Sequence, residues 1–214
     1  MTPADLLHRV RGILADPRGE WPRIAAEAGD LRSLAVPYVV GLAGVLPVAH
    51  LVAVALIGES HVVPGQSVTC RTPIAGALPM ALLLYGALVG AWMLLGRLIA
   101  LLAPTFQARH DEEAAHKLAT YALTPVWLAG AFALVATLHA SLSVLFMAVM
   151  AGGLGASWYL LTLGLPHVVA TPPARAPVHA ALALGATAIL AGAAIRLLHA
   201  IFGPLLIGSV LPPA

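Results

Sequence analysis

The 214-residue chain is 60% hydrophobic and only 9% charged, with a mean hydropathy of +0.94. A soluble domain carries about 25% charged residues, so the composition excludes an ordinary soluble enzyme and leaves one membrane domain with no room for a separate catalytic domain. The net charge of +2 is too small and dispersed to suggest nucleic acid, and the single cysteine, Cys70, excludes an intrachain disulfide or a multi-cysteine metal site.

Residues 1–33 read as a cytoplasmic leader with five arginines and five acidic residues. It is too long and too polar for a secretory signal, so the first apolar segment is expected to stay in the mature protein. Residues 2–15 have the pattern of a short amphipathic helix. Thr2 suits the cap, Pro3 the first helical position, and Asp5 follows the cap by three as in a capping box. Leu6, Leu7, Val10, Ile13 and Leu14 recur at helical spacing on one face, with His8, Arg9 and Arg11 on the other. Asp16-Pro17 then breaks the chain and starts a second helix, in which Trp21 and Ile24 share a face and Gly29 is the expected stop. A basic, one-sided helix beside a tryptophan is the pattern of a segment lying in the membrane interface. The other reading packs the same apolar face beneath a bundle.

Five strongly apolar stretches follow, at about 34–57, 73–102, 118–138, 140–166 and 178–200, inside a transmembrane domain at 34–211. About 20 apolar residues match a hydrocarbon core of about 30 Å, and backbone groups there must bond within their own segment. The expected fold is therefore an all-α, five-span helical bundle. The leader, the 97–117 region and Arg175 hold nine of the eleven Lys and Arg residues; only Arg71 and Arg196 fall on the other side. That bias places the N-terminus in the cytoplasm and the C-terminus outside. The turn at Leu138–Ser143 is almost without polar residues, which leaves a re-entrant hairpin open as an alternative to two full crossings.

Within the spans, Pro125 should kink the third helix, with Thr124 and Tyr121 bonding the loosened carbonyls. Gly152 and Ala156, four apart, share a face that lets another helix approach, within the chain or from a second copy. Gly164 and Pro166 are expected to end the fourth helix. The 103–117 connection reads as a solvated first turn of the third span. Its one Glu-x-x-His unit, Glu113 to His116, falls short of the ligand count of a di-iron bundle.

Nine histidines is many for this length. His50, His139, His199 and Arg196 fall in the outer half of the spans and form a candidate intramembrane polar site for moving a proton or solute. A b-type haem held by two of His50, His139 and His199 is a further alternative. No nucleophile elbow or glycine-rich phosphate loop is present. The expectation is no enzyme and no cofactor.

Three segments resemble the Yip-domain family. Asp16-Pro17-Arg18-Gly19-Glu20-Trp21-Pro22-Arg23-Ile24-Ala25-Ala26-Glu27 is similar to its Pro-x-x-x-Trp-x-x-Ile-x-x-Glu leader. Tyr121-Ala122-Leu123-Thr124-Pro125 is similar to the Tyr-x-x-Thr-Pro of its third span, and Tyr159 to Pro166 to the Tyr-Leu-x-x-x-Gly-Leu-Pro closing its fourth. The resemblance implies five spans, a cytoplasmic N-terminus and no enzymatic activity. Eukaryotic members bind prenylated Rab GTPases and carry an Asp-Leu-Tyr-Gly-Pro motif; this chain lacks the motif, and Rab binding is not carried over. The composition resembles that of bacterial members. The expectation is a multi-pass bacterial inner-membrane protein, an organiser or accessory subunit whose partners are the lipid bilayer and other membrane proteins or a second copy of itself.

Overall fold

The computed structural model describes residues 3–27, 31–63, 66–136, 138–139 and 142–207. Thr2 and Gly29 lie outside the described residues, as do parts of the Leu138–Ser143 turn. The chain begins with two short helices, α1 (Pro3–Ala15) and α2 (Pro17–Ala26). The break between them is local chemistry. The Asp16 carboxylate accepts from Gly19 N at 3.1 Å, and Pro17 occupies the first turn, where its missing N–H costs nothing.

Five helical segments are long and apolar enough to cross a membrane: Val36–Ile57, Ile74–Leu102, Glu112–Ala136, Leu142–Val168 and Ala176–Phe202. The first comprises α3 (Leu31–Ala43), α4 (Val45–Val52) and a π-helical turn at Ala53–Ile57, and it stops at Gly58, whose φ of 97° suits only glycine. The second is the continuous α5 (Ile74–Leu102), the fourth α9 (Leu142–Val168), and the fifth α10 (Ala176–Ile207).

The third span is assembled from short pieces: α6 (Glu112–Ala122), α7 (Thr124–Ala129), a 3-10 turn at Gly130–Phe132 and α8 (Ala133–Ala136). It is also the central one. Of its most apolar window 61% is buried within the protein, against 17–33% for the other four. α9 packs on α6, α7 and α8, α5 on α6, and α10 against α5 and α9. The helix opens at Glu112 rather than at 118 because Asp111 caps it, accepting from Ala114 N at 2.9 Å.

One departure from pure helix lies between the first two spans. β1 (Glu59–Val63) and β2 (Gln66–Cys70) pair antiparallel, from Glu59 opposite Cys70 to Val63 opposite Gln66. The strands carry β-branched pairs, Val62-Val63 and Val68-Thr69, that suit this pairing.

The fully buried large side chains gather at the end of the bundle that the leader covers. Ile13, Trp21 and Ile24 from the leader meet Tyr38, Leu95, Ile99, Leu118, Tyr121, Leu161 and Leu165 from four spans.

Candidate functional site

The three family-like segments, far apart in sequence, converge at that leader end. α2 lies on α9, with Trp21 wedged between Leu118 and Gly164. A Cβ on Gly164 would stand 2.4 Å from Leu118 Cδ1 and 2.8 Å from Trp21 Cε2, so only glycine leaves room for the indole.

Beside the wedge sits an ionic centre. Arg9 Nη1 donates to Glu20 Oε1 at 2.6 Å, and Nη2 donates to Glu27 Oε1. Glu20 is 5% exposed, and a second cation, Arg23, reaches its other oxygen at 3.4 Å. Burial works against the Arg9 charge, but the bond to Glu27 and the negative charges of Glu27 and Glu20 outweigh it and hold the guanidinium above its ordinary pKa. The Arg9 guanidinium also lies over the Tyr121 ring, 5.5 Å from its centroid, within cation–π reach. Lys117 Nζ donates to the Glu27 carbonyl at 2.7 Å and ties α6 to the same point.

From Tyr121 the network runs into the helix break. Pro125 cannot donate to the Tyr121 carbonyl four residues back. Thr124 Oγ1 does so instead, at 2.7 Å, and because its proton is used there it accepts from Tyr38 Oη at 2.8 Å. Tyr38 and Tyr121 meet edge to face at 5.1 Å. Leader, first span and third span are thus joined through Arg9, Tyr121, Thr124 and Tyr38.

Two further locks fix the same end. Trp92 Nε1 donates to Thr120 Oγ1 at 2.9 Å, with His116 edge-on to the indole at 5.6 Å. His179 lies fully buried, stacked on Phe106 at 4.6 Å, with Nε2 3.1 Å from the Ile99 carbonyl.

Sequence reasoning placed Leu6, Leu7, Val10, Ile13 and Leu14 on one face. The structure divides them: Leu6, Val10 and Ile13 turn onto the core, while Leu7 and Leu14 are exposed. The small-residue pair is also displaced by one. Gly152 and Ala156 face outward, with nothing within 4 Å of a Cβ on Gly152, whereas Gly153 and Ser157 are buried. Gly153 lies against Pro125 and Val126, because a one-residue step turns a helix by about 100° and the break at Pro125 leaves the matching groove there. Pro166 does not end α9, which runs to Val168; a proline removes only its own donor and the last turn survives. Arg9, Glu20, Tyr38 and Trp92 were not singled out as site residues. Their partners are too distant in sequence for any local pattern to show.

At the opposite end His50 and His199 come together, ring centroids 6.3 Å apart and edge to face. His199 Nδ1 bonds the Ile195 carbonyl at 2.9 Å. The adjoining apolar crevice is lined by Met80, Leu84, Ile195, Leu198 and His199. Arg196 is exposed on α10, and His139 follows the third span. Among the described residues no three His, Cys, Asp or Glu side chains form a metal-binding group.

A family model described as the Yip1 domain matches residues 11–195. That range holds every residue of the convergent centre except Arg9. No curated protein and no solved structure matches the chain.

Proposed function

Because this chain belongs to the Yip1-domain family, we propose that it is a non-enzymatic membrane organiser or accessory subunit that holds other membrane proteins. In this reading it resides in a bacterial inner membrane, with the leader cytoplasmic and the C-terminus periplasmic, and the docked leader is its contact surface. The supporting observation is the Arg9–Glu20–Glu27 centre over Tyr121, which makes the leader a fixed cap on the bundle. A surface held in place loses less conformational entropy on binding than a free tail.

The test is co-purification from native membranes in a mild detergent, comparing the full chain with one lacking residues 1–15. A stoichiometric partner that is lost on deletion supports the reading. A partner retained by the deleted chain removes the leader from the interface, and a chain that purifies alone from every membrane tested overturns the accessory role. Transport through the His50–His199 end has less support, since Arg196 is exposed and the crevice is apolar.

A further inference from the structure

The leader's sequence is balanced in charge, but its fold is not. Glu20 and Glu27 are both turned onto Arg9, with Glu20 buried and Arg9 and Glu27 partly so. Arg11, Arg18 and Arg23 stay exposed. Asp5 and Asp16 are exposed as well, Asp16 capping α2, so the exposed acidic and basic groups of the described leader sum to +1. Leu7, Arg11 and Leu14, spaced i, i+4 and i+7, share the open side of α1, and the two leucines are 67% and 46% exposed. The surface that results is apolar and cationic.

Its position is set by two contacts. Leu6 Cδ1 stands 3.4 Å from the Cβ position of Gly41, and Arg9 lies over Tyr121. Gly41 lies in the first half of the first span, so α1 flanks the end of the bundle at which that span begins. Interfacial helices seat their apolar faces about 5–10 Å deep at such a boundary.

We propose that the open face of α1, with exposed Arg18 of α2, is a binding surface for anionic phospholipid: Leu7 and Leu14 enter the acyl region while Arg11 and Arg18 hold the phosphates. The charge sorting by Arg9 creates the complementarity to an anionic leaflet. This rests on the leader being a docked contact surface, as above, and assigns that surface a lipid partner.

The full chain is reconstituted in nanodiscs of equimolar phosphatidylcholine and phosphatidylglycerol, and the lipids retained on the released protein are counted by native mass spectrometry. Phosphatidylglycerol is expected to be enriched. A basic residue near an anionic surface contributes about fivefold, so the double variant Arg11→Gln, Arg18→Gln should lower the enrichment at least tenfold. Leu7→Ser with Leu14→Ser should reduce retention of both lipids without changing their ratio. Unchanged thermal melting of each variant establishes that the fold is intact. Equal retention of the two lipids by the unaltered chain, or a preference that survives the double variant, overturns the proposal. Loss of the lipid preference with a leader-dependent protein partner still bound would assign the surface to protein and leave the accessory role standing. A lipid preference without any partner would overturn the accessory role alone.

Discussion

The ring of Trp21 lies so close to Gly164 that a methyl group there would be 2.8 Å from Cε2. The second leader helix and the fourth span therefore meet as a side chain against bare backbone. Gly164→Ala is expected to destabilise the protein by about 1–3 kcal/mol, since overpacking a closed site forces backbone movement. Gly152→Ala, which meets open space, should stay within about 0.5 kcal/mol. Thermal melting in one detergent compares them, and similar losses would remove the wedge.

Arg9 is the one cation bonded to both Glu20 and Glu27. Removing it leaves two carboxylates facing each other in a largely enclosed site. Breaking a buried pair this way costs about 3–5 kcal/mol, and the partial exposure of Arg9 and Glu27 reduces that to about 2–3 for Arg9→Ala. Arg9→Lys should recover only part, since an ammonium lacks the planar fork that spans two acceptors. The readout is limited proteolysis within residues 1–27, which should accelerate in the order Ala, Lys, wild type.

Thr124 carries two bonds on one oxygen, to the carbonyl freed by Pro125 and from Tyr38. Thr124→Val keeps the shape and removes both. It should cost about 1–3 kcal/mol because buried polar groups are left unpaired. Thr124→Ser should restore most of that. Chemical-denaturant midpoints for the two variants decide it, and equal midpoints would show that the hydroxyl does not support the break.

Ala170 adopts φ 55° in the connection after α9 and is exposed. A left-handed conformation costs a residue with a Cβ about 1–2 kcal/mol, partly offset by glycine's greater freedom when unfolded. Ala170→Gly should therefore raise stability by about 0.5–1 kcal/mol, visible as a higher melting temperature. A lower one would contradict the backbone geometry.

The five spans were legible because an uninterrupted apolar run of bilayer length is a property of contiguous sequence. So was the Asp16-Pro17 break, which is capping chemistry within four residues. The solvated first turn before the third span was legible in the acidic and basic spacing of residues 112–117, while the apolar run marks only its continuation. The structure adds the Asp111 cap that fixes the start at Glu112. Which small residues pack could not be read. Gly152 and Gly153 differ by one step of helix rotation, and only the neighbouring helix decides which is enclosed. The ionic centre was illegible for a related reason. Arg9 belongs to the polar side of α1 by periodicity, and its burial depends on α2 folding back across it.

The socket that receives Trp21 is built from Leu118 and Gly164, so it does not exist until the fourth span has been made. The leader, made before that span, cannot dock until the span is in place. Until then Trp21 and Ile24 have only solvent, lipid or a chaperone for company. A ribosome stalled within the third span would therefore hold a leader that is fully synthesised yet undocked and open to proteases, and docking would mark the moment at which the fourth span is in place.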